Sequence, residues 1–208
     1  MSVRNIICDL GGVLLIDRPE ESLRRFDRLG FVEARQLLSP YPAEGLFPDL
    51  EVGRFSKEEC LDLVRRRYGH ALTVEDFTWA LVGYAGEAEL YKLDYLREQL
   101  TDCRLFLATN TNAFLYDYYR SPRFLPSGES LESYFERCYA SHLLHIKKPD
   151  PRFYRLILEE NGLDPHETIY IDDREENVRA ASQLGMRTLR PMNGSDWRSD
   201  LQKLRRHE

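Results

Sequence analysis

The sequence predicts an α/β protein: a parallel sheet flanked by helices, with a small helical unit inserted after the first strand. Three observations predict it. Short apolar runs at 6–8, 104–108, 137–140, 168–171 and 187–189 alternate with segments of helical periodicity, and such alternation implies parallel strands joined by right-handed crossovers. The stretch from Asp17 to about Gly86 breaks that rhythm and reads as helix after helix with no strand. Finally, three of the strands run into oxygen-rich residues: Asp9, then Thr109-Asn110, then Asp172-Asp173. Parallel sheets bind ligands beyond the carboxyl ends of their strands, so one edge of the sheet collects the polar chemistry.

Taken in order, Ile6-Ile7-Cys8 is a strand that ends on Asp9-Leu10-Gly11-Gly12 before the apolar run resumes at Val13. In the insert, Leu23, Phe26 and Leu29 make one face of a helix over 20–29, and 32–38 is a second short helix ended by Ser39-Pro40-Tyr41-Pro42. Ser56 and Glu59 form a capping-box pattern ahead of Cys60, Leu61, Val64 and Tyr68, with Gly69 as the stop. Thr73 and Asp76 open another helix, with Phe77, Ala80, Leu81 and Tyr84 as its stripe. Beyond the insert, 87–100 is an amphipathic helix. A helix from Ala113 leads into a Pro/Gly-rich loop over 120–130. Pro149-Asp150-Pro151 opens a helix reaching Asn161, with Gly162 as its cap. A helix over 175–184 stops at Gly185, and a last one begins near Ser195-Asp196. The organisation expected is a core of residues 1–16 and 87–208 with a helical cap of residues 17–86.

Composition narrows the function. The chain has 208 residues with a formal net charge of −6, which argues against nucleic acid as a main partner. Its apolar runs are too short to span a bilayer and no leader pattern opens it, so a cytoplasmic protein with no membrane partner is expected. Oligomeric state is left open. The four cysteines are scattered, in the manner of reduced, packed thiols. Cys138, His142 and His145 have metal-like spacing but no fourth ligand nearby, so no zinc site is expected there.

The strand-end residues carry the chemistry. Burying an unpaired charge is costly, so Asp9 at an open strand end is a candidate nucleophile or metal ligand. Asp9 and Asp172 together suit a hard divalent cation such as Mg²⁺, since two neighbouring carboxylates repel unless a cation or proton lies between them. Thr109 offers a hydroxyl and Asn110 an amide to phosphate oxygens, and Lys148, at a helix start, adds a positive point charge. Taken singly, each has a plainer reading as a turn, a cap or a solvated side chain. Taken together, each beside its strand, they suit phosphoryl transfer, where charge must be neutralised and reacting atoms held in line.

Asp9-Leu10-Gly11-Gly12-Val13, Ala108-Thr109-Asn110-Thr111-Asn112, Lys147-Lys148-Pro149 and Ile171-Asp172-Asp173-Arg174-Glu175-Glu176-Asn177 resemble the four motifs of the haloacid dehalogenase-like hydrolases. The wording of the first two is most similar to the glucose-1-phosphatase-like branch. The resemblance implies a Rossmann-like core with a small helical cap, and Asp9 as the nucleophile that becomes an aspartyl phosphate. It implies that Asp9, Asp172 and the backbone carbonyl of Gly11 hold Mg²⁺, and that Thr109, Asn110 and Lys148 bind phosphate. Asp173 would orient metal-bound water or Lys148. The block 50–56 falls where cap residues face the active site, which leaves Glu51, Arg54, Trp79 and Tyr84 as candidates for setting specificity.

One position departs from the pattern. Phosphatases of this superfamily mostly carry a general acid/base aspartate two residues after the nucleophile, and here that residue is Gly11. Losing a general acid typically costs about 10²–10⁴-fold, most for poor leaving groups. The favoured expectation is a Mg²⁺-dependent phosphatase of a small phosphorylated metabolite, such as a sugar 1-phosphate with its better leaving group, or one whose acid is water or a cap residue. A phosphate- and metal-binding protein with little turnover is the alternative. A metal-independent dehalogenase is the second, and the Asp172-Asp173 pair counts against it. A dinucleotide-binding domain is weaker still, because the glycines lack the required spacing.

Overall fold

The structure, a computed structural model, describes residues 2–38 and 44–206. The breaker over 39–42 lies outside the described residues. The chain begins with β1 (Asn5–Cys8) and, past Gly11-Gly12, forms β2 (Leu15–Asp17). Helices α1 (Pro19–Arg28), α2 (Ala34–Leu37), α3 (Leu46–Glu51), α4 (Lys57–Tyr68) and α5 (Val74–Val82) follow. The chain returns through β3 (Ala85–Ala88) to α6 (Leu90–Gln99), β4 (Arg104–Thr109) and α7 (Ala113–Arg120). Then come β5 (Arg137–Ala140), α8 (Ser141–Leu144), α9 (Pro151–Asn161) and β6 (Thr168–Ile171). The chain closes with α10 (Glu175–Ser182), β7 (Arg187–Leu189) and α11 (Arg198–Arg206).

Five strands make one parallel sheet in the order β5-β4-β1-β6-β7. This is the fold class expected from the alternation. Its central strand β1 is buried throughout, as a strand covered by helices on both faces must be. Successive residues point to opposite faces, and the core divides accordingly. Ile6, Cys8, Leu107, Ile169 and Ile171 join the apolar cluster that continues into the inserted helices. Ile7, Phe106, Ala108, Tyr139 and Tyr170 pack on the other side with Phe153, Tyr154 and Ile157 of α9.

The insert is mostly helical, as expected, and both capping boxes form: Ser56 with Glu59, and Thr73 with Asp76. Gly69 and Gly162 end their helices in the left-handed conformation. The expectation of no strand in this block, with a helix from Glu87, is corrected. Residues 85–88 pair antiparallel with β2, and the helix begins only at Leu90. The missing signal has a physical reason, because Ala85-Gly86-Glu87-Ala88 holds no β-branched or aromatic residue. Its strand character comes from its partner, with Gly86 letting the Ile16 carbonyl approach. The two-stranded ribbon is the stem through which the chain leaves the core and returns. It is closed at one end by Arg18 N–H to Tyr84 O at 2.7 Å and at the other by Glu89 N–H to Leu14 O at 3.0 Å.

Phe26 centres the insert's packing, with ring centroids 5.7 Å from Phe31, 6.0 Å from Phe47 and 5.2 Å from Phe77. Phe77 in turn meets Phe114 of α7 at 4.8 Å, so the insert and the core share one apolar body. The loop after α7 runs to the start of β5, the edge of the sheet away from the strand ends that carry Asp9 and Asp172. Phe124 and Leu125 are buried there, Phe124 against Tyr119 at 5.0 Å. No described helix is long and apolar enough to cross a membrane.

Because Phe77 is fully buried at this seam, Phe77→Ala is expected to cost about 3–5 kcal/mol. Chemical denaturation followed by far-UV circular dichroism checks it, and a loss below about 1 kcal/mol would dissociate the seam from stability.

Candidate active site

The register of the sheet assembles the site. Cys8 lies beside Leu107 on one side and Ile171 on the other, so the residues that follow each strand emerge together. Asp9 stays tied to this edge, its N–H donating to the Ile171 carbonyl at 2.8 Å. Lys148 reaches the same point from the loop ahead of α9. Its ammonium lies 2.8 Å from Asp9 Oδ1, 2.8 Å from Asp172 Oδ2 and 2.7 Å from the Ala108 carbonyl oxygen. An ammonium has three N–H donors, and here each finds an acceptor at the end of a different strand. Lys148, Asp172 and Asp9 are 2%, 0% and 7% exposed, so the bridge is dry.

Asn110 holds that lysine in place. Its side-chain oxygen accepts from Lys148 N–H at 2.9 Å and its amide donates to the Lys148 carbonyl at 2.9 Å. Both polar ends of the side chain are thus committed to the Lys148 backbone. Thr109 is buried at the end of β4. Ser141 performs a similar service for the loop after β4, accepting from Thr111 N–H at 2.9 Å and donating to its carbonyl at 3.0 Å. Asp172 is the most heavily bonded group. Tyr170 O–H donates to Oδ2, Asn177 Nδ2 lies 2.9 and 3.0 Å from its two oxygens, and Arg174 N–H donates to Oδ1 at 2.9 Å.

Charge in this pocket is unbalanced. Asp9, Asp172 and Asp173 each offer an oxygen, all within 4.8 Å of one another, against the Lys148 ammonium and the Arg174 charge that acts on Asp173. Burial pushes the Asp9 carboxyl well above the ordinary range, Asp172 adds to the push, and Lys148 opposes it. Asp172 goes the other way. Burial opposes its ionisation, yet the Lys148 charge and hydrogen bonds from Lys148, Tyr170 and Arg174 N–H hold it below the usual value. The Lys148 ammonium is raised for the complementary reason: burial disfavours it, and two carboxylates outweigh burial. Surplus negative charge in a dry pocket suits a divalent cation bound by carboxylates, so the donors fit Mg²⁺. Among the described residues, this is the one cluster of three or more His, Cys, Asp or Glu side chains with metal-ligand spacing.

The glycine pair proves to be packed by two carboxylates. Gly12 has φ +68° and lies so close to Asp173 that a Cβ there would be 2.5 Å from Oδ2. At Gly11 a Cβ would be 2.8 Å from Oδ1 of Asp17. Burial, with the Asp173 charge adding, pushes the Asp17 carboxyl up to about 7, against Arg174 and hydrogen bonds from Tyr84 and Gly12 N–H. Asp17 is the site residue that sequence reasoning missed outright, and nothing local marks it. Asn177 stood inside a recognised motif without a role. Tyr170 follows from the alternation of β6, which puts it on the same face as Asp172.

The four cap candidates separate. Glu51 pairs with Lys147 at 3.0 Å, beside the site lysine, and the Tyr84 hydroxyl bonds Asp17. Arg54 pairs with Asp49 at 2.7 Å, and Trp79 lies exposed under Arg25. Of the Cys138, His142 and His145 set, His145 Nδ1 meets the Val52 carbonyl oxygen at 3.0 Å and His142 packs edge-on to Tyr116. Burial holds the His142 imidazole down from 6.5 to about 4. The folded chain therefore takes no proton there where the unfolded chain does, so the stability from His142 is complete above pH 6.5 and lost as pH falls toward 4. His142→Gln is expected to flatten the acid limb of the stability curve in that window, read from urea midpoints. An unchanged limb would assign the acid loss to other groups.

Comparison with known proteins agrees with this geometry. Residues 127–190 match the family model for haloacid dehalogenase-like hydrolases. D-ribitol-5-phosphate phosphatase of Bacteroides thetaiotaomicron is 34% identical, over 96% of this chain and 97% of its own. Among solved structures, a predicted HAD-like family hydrolase from Porphyromonas gingivalis superimposes with a TM-score of 0.94 at 40% identity over the whole of both chains. A HAD family enzyme from B. thetaiotaomicron, in complex with magnesium and inorganic phosphate, gives 0.86 at 29% identity over 95% of this chain and 98% of its own. With a relative this similar along nearly its whole length, the chain belongs to the haloacid dehalogenase-like hydrolases.

Proposed function

We propose that the protein is a magnesium-dependent phosphatase that hydrolyses a small phosphorylated polyol or sugar through an aspartyl phosphate on Asp9. The observation that carries this reading is the Lys148 ammonium, 2.8 Å from both Asp9 and Asp172, beside a three-carboxylate cluster. Binding phosphate needs positive charge and donors. A buried carboxylate aimed into the same place is unfavourable for anion binding alone and suits a nucleophile.

In this reading Asp9 attacks phosphorus, forming a bond to it as the ester oxygen leaves. Lys148, fixed by Asn110, holds Asp9 in line and offers charge to the phosphoryl oxygens, and the Thr109 hydroxyl donates to one of them. Asn110 contributes chiefly through Lys148, since its side-chain amide is already committed to the Lys148 backbone. Magnesium, held by Asp9, Asp172 and the Gly11 carbonyl, would supply further positive charge against the same oxygens. Asp173, inside the cluster, is placed to add a ligand or orient its water. The ribitol-5-phosphate phosphatase relative supports an acyclic or cyclic sugar-type alcohol as the leaving group. A sugar 1-phosphate is the second substrate to compare.

Phosphate release from D-ribitol 5-phosphate and from glucose 1-phosphate is expected to require Mg²⁺ and to stop with a chelator. Asp9→Asn is expected to lower release on the order of 10³-fold or more. Equal release by wild type and Asp9→Asn would refute the catalytic reading and leave a binding protein. For Lys148→Met, removing the shared cation leaves two buried carboxylates unpaired, so a loss of about 3–5 kcal/mol is expected in chelator. A denaturation midpoint equal to that of wild type would count against the bridge.

A further inference from the structure

Gly11 stands where phosphatases of this superfamily mostly carry a general acid, and the structure shows what fills the space. A Cβ built on Gly11 would be 2.8 and 3.1 Å from the two carboxylate oxygens of Asp17 and 3.3 Å from its Cγ. An aspartate at 11 would hang its own carboxyl from that Cβ, so its oxygens and those of Asp17 would compete for one volume. The backbone at Gly11 does not demand glycine, since its φ lies outside the positive range that its neighbour Gly12 adopts at +68°. The group standing where a side chain at position 11 would begin is the Asp17 carboxylate.

Asp17 is also built to stay there. Its carboxylate accepts from Gly12 N–H and from the Tyr84 hydroxyl, with Arg174 and Asp173 as its charged neighbours. Its backbone is clamped by Asn193, which accepts from Asp17 N–H at 3.0 Å and donates to its carbonyl at 3.1 Å. It ends β2 and so belongs to the stem of the inserted helices.

We propose that Asp17 is the general acid/base of the reaction, supplying from β2 the carboxyl that Gly11 lacks. This rests on the aspartyl-phosphate reading above. In the first half-reaction the bond between Asp9 and phosphorus forms, the bond from phosphorus to the ester oxygen breaks, and Asp17 gives its proton to that oxygen so that a neutral alcohol leaves. In the second, Asp17 takes a proton from the attacking water, the water oxygen bonds to phosphorus, and the phosphorus–Asp9 bond breaks. Phosphate departs and both carboxyl groups return to their starting states.

The test compares leaving groups. Protonation matters most for a basic alkoxide and least for a nitrophenolate. Asp17→Asn keeps the size and hydrogen-bonding capacity of the side chain. It is expected to lower kcat for D-ribitol 5-phosphate by about 10²–10⁴-fold while lowering the phosphoryl-enzyme formation step for 4-nitrophenyl phosphate far less. With that aryl ester the variant should show a burst of one nitrophenolate per site, because the second half-reaction still lacks its base. Equal losses on both esters, with no burst, would overturn the proposal and assign Asp17 a structural role. Should Asp17→Asn fold poorly, the wild-type chain decides. Its kcat/KM should vary little across aryl phosphates of rising leaving-group basicity, and a steep decline would exclude a positioned acid. Loss of all release in wild type, or equal release by Asp9→Asn, would instead sink the phosphatase reading itself.

Discussion

One buried ammonium organises this molecule. Lys148 donates to Asp9, to Asp172 and to the Ala108 carbonyl, so β1, β4 and β6 must lie side by side and end at one level. The sheet order places β1 between the other two. Such a bridge is expensive to desolvate and costly to break, because either carboxylate left alone would be an uncompensated buried charge. The surroundings are accordingly over-determined. Asn110 fixes the lysine backbone from both ends, and Tyr170, Asn177 and Arg174 N–H saturate Asp172. With Asp172 saturated, Asp9 is the less supported of the two carboxylates, and burial pushes its carboxyl well above the ordinary range. A divalent cation beside Asp9 would relieve its repulsion with Asp172.

The fold was legible because its signals are local. The bounds of β5, β6 and β7 and of the helix opened by Pro151 follow from apolar runs and caps that lie within a few residues of each boundary. The strand-end residues were legible for a related reason, since a parallel sheet brings strand ends together whatever the loops do. What stayed hidden depends on distant partners. Residues 85–88 form a strand only because β2 is there to pair with, and the short helix Ser141–Leu144 follows directly on β5 with no break in the sequence to mark it. Asn110 reads as a phosphate donor by residue type, and only the fold reveals that Lys148 uses both ends of its amide.

The two glycines after Asp9 show how one residue type answers two constraints. Gly12 is required by its backbone, with a φ that side chains resist and Asp173 pressed against its Cα. Gly11 instead makes room for the Asp17 carboxylate across the turn. From the sequence both look like room for a ligand, because residue type reports the absence of a side chain and not what occupies the space.

That distinction changes the meaning of the missing acid. A glycine in place of an aspartate suggests a weakened enzyme only if the vacated volume is empty, and here it holds the carboxylate of Asp17. The same residue sits at the insert end of the ribbon, paired with Ala85 and bonded to the neighbouring Tyr84. A carboxylate on the first strand's own loop would be indifferent to the insert. One on the stem is positioned by the strand pairing of β2 with β3 and by the C-terminal loop through Asn193. If Asp17 serves the leaving group as proposed, that chemistry and the packing of the inserted helices are set by the same few residues, and a change in the stem acts on both.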